Sequence, residues 1–228
     1  MGPNGARGRH GSDASDDRGI TVRTGTAGDA PAAARLHSER ISGGFLSFLG
    51  TSFLTRLYRR MTRTSGSFLL VTDSGGEVIA FIAGSADVGG LYKSFLIRDG
   101  LVAGLAAAPR LVRGWRRVLE TLGHGSEGGA GTGRGTELLA VAVDPQHEGQ
   151  GIGRALVDAF LERVIASGGH QAYVVVGAAN TGAISLYAGA GFVAGPEFEL
   201  HAGTTSVLMQ WDDESPASTA PAPRTPAT

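Results

Sequence analysis

One stretch constrains this chain more than any other: an apolar run and a glycine-rich turn leading into a helical pattern, residues 136–168. The run Leu138-Leu139-Ala140-Val141-Ala142-Val143 is long enough for a strand buried on both faces. Asp144-Pro145 stops it, because proline donates nothing to a ladder and restricts the residue before it. The turn Glu148-Gly149-Gln150-Gly151-Ile152-Gly153 follows, and then Ile152, Leu156, Ala159, Phe160 and Val164 recur at helical spacing on one face. Strand, glycine turn and amphipathic helix together build an anion site. Unpaired N–H groups at the helix start point out of the turn, and the helix dipole favours negative charge there. Glycines let a phosphate approach the backbone closely. The plainer reading, a tight strand-to-helix connection, stays open at this point.

The dinucleotide fingerprint G-x-G-x-x-G fails, because Leu156 stands where its third glycine belongs. The triphosphate loop G-x-x-x-x-G-K-S/T occurs nowhere. The stretch instead resembles the acyl-coenzyme A loop Q/R-x-x-G-x-G/A of the GNAT superfamily of N-acetyltransferases. It reads Glu148-x-x-Gly151-x-Gly153, with Val143-Asp144-Pro145 matching the V-x-P upstream. Glutamate at the first position departs from the family and puts a negative charge near the expected pyrophosphate. A second block, N-x-x-A-x-x-L-Y-x-x-x-G-F, is similar at Asn180, Ala183, Leu186, Tyr187, Gly191 and Phe192.

The resemblance implies an α/β fold: a mixed, mostly antiparallel central sheet of about seven strands flanked by helices. It implies acetyl-coenzyme A as co-substrate, no metal, and a small-molecule amine as acceptor. Amino sugars, nucleotide-linked amino sugars, amino acids and polyamines are the candidate classes. A non-catalytic acyl-coenzyme A sensor and a transferase using longer acyl chains or hydroxyl acceptors are the competing readings.

Composition narrows the remaining classes. A chain of 228 residues suffices for one domain with a sizeable core. Net charge is −1, so no global field draws nucleic acid or a membrane surface. There are no cysteines, which removes disulfides, thiol catalysis and cysteine metal sites together. Six histidines are scattered without an H-x-x-x-H pair. The polar N-terminus and the lack of a long apolar run suggest neither signal peptide nor membrane span, and hence a cytoplasmic protein. A homodimer is compatible with the sequence.

In chain order, residues 1–18 and 212–228 read as disordered tails around a single acetyltransferase domain, 19–211. Ile20–Arg23 alternates as a first strand, and Asp29-Ala30-Pro31 begins a helix with Ala33, Leu36 and Ile41 inward. Phe45–Met61 reads as one helical region with Phe45, Leu49, Phe53, Leu57 and Met61 in a stripe. Core packing explains that stripe. By resemblance, Phe45, Phe48 or Tyr58 could instead line an acceptor pocket. Ser67–Thr72 and Val78–Ser85 form a hairpin through Asp73-Ser74-Gly75-Gly76.

An insert, 86–135, then separates the third and fourth strands. Leu91–Leu122 reads as two helices divided at Pro109. It carries Lys93, Arg98, Arg110, Arg113, Arg116 and Arg117 against Asp99 and Glu120. That excess is a solvated face, a lid or docking surface for an anionic acceptor, or, with no aromatic-basic interleaving to support it, a contact for a membrane surface or nucleic acid. A glycine-rich linker, 124–135, completes the insert. Ala172–Val176 and Thr204–Trp211 are later strands.

Residue roles follow from the resemblance. The backbone of Gly149, Gln150, Gly151, Ile152, Gly153 and Arg154 would hold the pyrophosphate. Val141, Ala142 and Val143 would pair with the pantetheine arm, and a backbone N–H there would polarise the thioester carbonyl. Tyr187 matches the family's general acid, a phenol suited to proton exchange with a leaving thiolate; a buried core tyrosine is the alternative. Asn180 would bind the pantetheine amide, cap a helix, or both. The base used by ribosomal-protein alanine acetyltransferases, twelve positions before the tyrosine, falls on Val175 and is missing. The histone-type register, eleven positions before the loop's first residue, lands on Glu137. Glu137 is therefore the candidate base, with Asp87 second and a solvent-facing strand-end glutamate as the plain alternative.

Overall fold

The computed structural model describes residues 21–41, 45–99, 135–201 and 204–213. The expected N-terminal tail, residues 214–228 and most of the insert, including the division at Pro109, lie outside them. Asp212, expected to begin the C-terminal tail, instead closes the last strand by pairing with Gln171.

Seven strands form one sheet: β1 Thr21–Thr24, β2 Ser67–Ser74, β3 Glu77–Ser85, β4 Thr136–Val143, β5 Gln171–Gly177, β6 Val193–His201 and β7 Thr204–Asp212. Their order is β1-β2-β3-β4-β5-β7-β6, antiparallel except where β4 meets β5. Helices α1 Ala30–Arg40, α2 Phe45–Leu49, α3 Thr51–Met61, α4 Val88–Arg98, α5 Ile152–Ala166 and α6 Thr181–Gly189 flank it.

Period-2 alternation on β2 and β3 feeds two cores. Phe68, Leu70 and Ile82 pack with Leu156 and Phe160 of α5. Leu69, Val71 and Phe81 pack on the opposite face with Leu36 of α1 and Leu54 of α3. The face of α5 expected from spacing is buried at Ile152, Leu156, Phe160 and Val164. Each such side chain contributes about 1.5–3 kcal/mol of burial. At the sheet edge, Arg23 bridges Asp29 at 2.8 Å and also Asp73, tying β1 and β2 to the start of α1.

Three further expectations are corrected. The region Phe45–Met61 is two helices, because Gly50 sits at φ 87° and turns the chain between them. Leu49, Leu57 and Met61 are buried as the stripe requires, together with Leu54 and Tyr58; the side chains of Phe45 and Phe48 lie outside the described residues. The insert's helix begins at Val88 rather than Leu91, because the Asp87 carboxylate accepts the Gly90 N–H at 2.8 Å and caps it. Finally, β4 is not buried equally on both faces. Its residues alternate between buried and half-buried.

Half-buried Val141 and Val143 border an open cavity, and β4 also carries a bulge. Ala83 pairs with Ala140 but Gly84 pairs with Leu138, leaving Leu139 as an extra residue on β4. The bulge exchanges the two faces. Leu138 packs on the α5 side, whereas Ala140 and Ala142 pack on the α1 side.

Candidate active site

β4 and β5 run parallel and pair only at Thr136–Ala172 and Glu137–Tyr173. Beyond that point β4 continues on β3 as far as Val143, while β5 continues on β7 as far as Gly177. The two strands part, so their facing edges from Leu138 and Val174 onward border a wedge. Backbone N–H and C=O groups along such an edge are available to an extended ligand.

The wedge leads to the glycine turn. A cavity of about 530 Å³ there is lined by Val141, Ala142, Val143, Gly149, Gly151, Ile152, Gly153 and Arg154. Arg40, His147, Glu148, Gly182, Ala183 and Leu186 complete its walls. Gly151 occupies the α5 N-cap position at φ 81°. A Cβ built on Gly149 or Gly151 would meet no protein atom within 4 Å. Both glycines therefore face space that a ligand can enter, with backbone angles that other residues avoid. The first intrahelical bond into Gly151 comes from Ala155, leaving the N–H groups of Ile152, Gly153 and Arg154 outside the helix ladder. No acidic residue sits in the first turn of α5. The turn has the features of an anion cradle.

The glutamate that departs from the loop pattern has a partner: Glu148 pairs with Arg40 at the end of α1. Its charge is thereby offset where the cavity opens. The Arg154 side chain turns to Asp158, at 2.8 Å, and to the Gly189 carbonyl, at 2.6 Å. It braces α5 against α6 at the cavity wall.

Gln150 is exposed and donates to the Gln146 carbonyl at 3.4 Å; it does not line the cavity. Asn180 caps α6, accepting the Ala183 N–H at 3.1 Å. Tyr187 is buried in the α5-side core beside Phe192, in the cluster against which Val141 and Val143 pack. Burial raises its phenol pKa, keeping it protonated at neutral pH.

Glu137 stands where β4 and β5 part. Tyr173 donates to its carboxylate at 2.8 Å. Burial raises the Glu137 pKa, and the Tyr173 hydrogen bond partly opposes the rise. Tyr92 of α4 lies close enough to feel that charge, and its phenol is pushed up to about 12, mainly by burial. Deeper on the same side, His37 Nδ1 and the Tyr58 hydroxyl are 2.6 Å apart, and His37 Nε2 lies 3.1 Å from Ser47 Oγ. Tyr58 is 2% exposed, so it is a buried partner of His37 rather than a wall of an open pocket.

Residues 39–192 match the acetyltransferase (GNAT) family. This chain is a member of that family. Over 100 residues it is 35% identical to a mycothiol acetyltransferase of Nocardioides sp., a match covering 41% of this chain and 33% of that protein. The chain thus spans about a third of the length of that curated relative. Among solved structures it resembles an N-acetyltransferase from Staphylococcus aureus Mu50, with TM-score 0.56 and 13% identity over 86% of this chain and 99% of the other. It also resembles a GNAT superfamily phosphinothricin acetyltransferase from Sinorhizobium meliloti in complex with acetyl-coenzyme A. That match has TM-score 0.55 and 19% identity over 85% and 88% of the two chains.

Several parts of this GNAT site escape a linear reading. Arg40 lies 108 residues from the glutamate it offsets, and only folding brings them together. The Leu139 bulge depends on register with β3 and has no local signature. Tyr92 and Tyr173 reach Glu137 from separate elements. The Gly182 and Ala183 walls of the cavity were legible in principle, because they open the helix that the Asn180 block announces.

Proposed function

We propose that this chain transfers an acetyl group from acetyl-coenzyme A to a primary amine of a small molecule by direct attack. The observation that carries the reading is the wedge between β4 and β5, ending at the glycine turn of α5. One extended ligand with a pyrophosphate at one end and a thioester at the other fits that combination. The backbone at Gly149–Arg154 would take the pyrophosphate, and the β4 edge at Val141–Val143 would pair with the pantetheine amides.

The chemistry then falls to three groups. The extra residue of a bulge leaves its ladder, so the Leu139 N–H is suited to polarise the thioester carbonyl. Glu137, a half-buried carboxylate with a raised pKa, accepts the ammonium proton directly or through water. The free amine attacks the thioester carbon, and the C–S bond breaks as the C–N bond forms. The sulfur leaves with the electron pair as thiolate, and the nitrogen gives up its second proton through water. Tyr187, protonated at neutral pH, gives its proton to the departing thiolate and regains the one that the new amide nitrogen releases. Its burial-raised pKa makes that transfer to sulfur less favourable than for a free phenol. Asp87 is the weaker candidate for base, since its carboxylate is engaged in capping α4.

Thiol release from acetyl-coenzyme A tests this against amino sugars, nucleotide-linked amino sugars, amino acids, polyamines and mycothiol-type amines. Turnover with one class supports the transferase. Tight binding of acetyl-coenzyme A with no thiol release from any acceptor would favour a binding module instead.

A further inference from the structure

A second cavity, of about 400 Å³, lies away from the wedge. Its walls come from Arg56, Arg59, Arg60 and Arg63, from Asp99 after α4, and from the turn at Gly28 before α1. The four arginines recur at helical spacing along α3 and the turn that follows it. They flank the buried face of α3, formed by Leu54, Leu57, Tyr58 and Met61.

Charge in this cavity is unbalanced. Asp99 engages Arg60, at 2.7 Å to Nε and 2.6 Å to a terminal nitrogen. Among the described residues, Arg56, Arg59 and Arg63 have no carboxylate partner. Arg56 Nε is buried without a hydrogen-bond acceptor among those residues. An unpaired buried N–H is costly, and like charges three and four residues apart on a helix repel. A ligand with several anionic oxygens relieves both at once. Guanidinium groups match phosphate in paired, planar hydrogen bonds.

This cavity is separate from the coenzyme site. Gly28 precedes α1, whereas Arg40, at the other end of α1, lines the wedge cavity. The helix between them has 11 residues, so the two cavities open about 16 Å apart along its axis.

We propose that the arginine cavity binds a small phosphorylated anion, independently of the coenzyme. α3 is the element that would sense it. On the helix that carries these arginines, Tyr58 contacts His37 of α1 and the ring of Phe81, whose strand partner is Ala142.

The test is calorimetric titration of inorganic pyrophosphate into the full chain, with and without saturating coenzyme A. Because the glycine turn would itself take pyrophosphate in the free protein, the arginine cavity is read with coenzyme A saturating, where the expected result is one-to-one binding that weakens as salt rises. Arg56→Gln and Arg63→Gln should each weaken this coenzyme-resistant binding at least tenfold. Arg63 is exposed, so its replacement leaves the fold intact even if loss of Arg56 does not. Pyrophosphate binding that saturating coenzyme A abolishes and Arg63→Gln leaves untouched would place the anion on the glycine turn and overturn the proposal. Equal affinity in wild type and Arg63→Gln, or no binding, would overturn it as well.

Discussion

The two sides of the wedge are built differently. The coenzyme side is contiguous: β4, the turn and α5 follow one another in sequence, and the ligand-facing atoms are largely backbone. The other side is assembled from side chains that meet only in three dimensions. His37 of α1, Tyr58 of α3, Tyr92 of α4, Glu137 of β4 and Tyr173 of β5 come from five elements. A backbone site is specified by glycines and by where a helix starts. A side-chain site is specified by packing. On this account, the first side governs affinity for the coenzyme and the second governs rate and pH dependence.

The largest expected effect belongs to Tyr187, the one side chain of the α5-side core to which the proposed chemistry gives a role in rate. Tyr187→Phe should lower kcat by about a hundredfold to a thousandfold with the acetyl-coenzyme A Kd unchanged, in the range for loss of a general acid. Single-turnover rates beside calorimetric Kd values separate the two quantities. An unchanged kcat would return Tyr187 to a purely packing role.

The side-chain half also carries a pH signature in stability. Burial lowers the His37 pKa from 6.5 to about 4. The unfolded chain therefore binds the proton first as pH falls. Stability from this group is complete above about pH 6.5 and is lost towards pH 4, by about 3 kcal/mol at the low end. Urea unfolding at pH 7 and at pH 4.5 should show that slope, and His37→Gln should flatten it. Equal slopes in the two proteins would mean that His37 is not held neutral.

Glu137→Gln is expected to reduce kcat/KM about tenfold to a hundredfold near neutral pH, with a smaller deficit at high pH where free amine is abundant. In wild type the rate should rise with pH through a group titrating above the ordinary carboxylate range. Tyr173→Phe removes the hydrogen bond that stabilises the charged form, so that limb should move to still higher pH. A limb that ignores both substitutions would take Glu137 out of the proton path.

The smallest effect belongs to the coenzyme side. Arg40→Ala leaves Glu148 unpaired beside the anion cradle. Both partners are substantially exposed, so acetyl-coenzyme A should bind only about twofold to fivefold more weakly. Glu148→Gln should act in the opposite direction. A shift in kcat or its pH profile from either change would break the division between the two sides.

That division also explains what could be read from the sequence. The strand, the glycine turn, the α5 face and the Asn180 cap were legible because each is encoded within a few consecutive residues. Gly50 was a local signal too, but the stripe through Phe53 and Leu57 runs across it and suggests one helix. The Leu139 bulge was not legible, since register is set between strands 55 residues apart at Gly84 and Leu139. Nor was the role of Arg40, whose partner is fixed only by the tertiary fold. Asp87 shows the opposite hazard. As a lone acid at a strand end it could be a base, but the two glycines at 89 and 90 let the chain turn into a helix that its carboxylate caps.

The central claim, that the glycine turn at the mouth of the β4–β5 wedge holds the coenzyme, is tested most directly by titrating acetyl-coenzyme A into wild type and Gly151→Val. The account predicts one-to-one binding to wild type, and at least a tenfold weaker Kd in the variant with urea stability within about 2 kcal/mol, since the new side chain enters open space at a backbone angle it tolerates poorly. Equal affinities in the two proteins would contradict it.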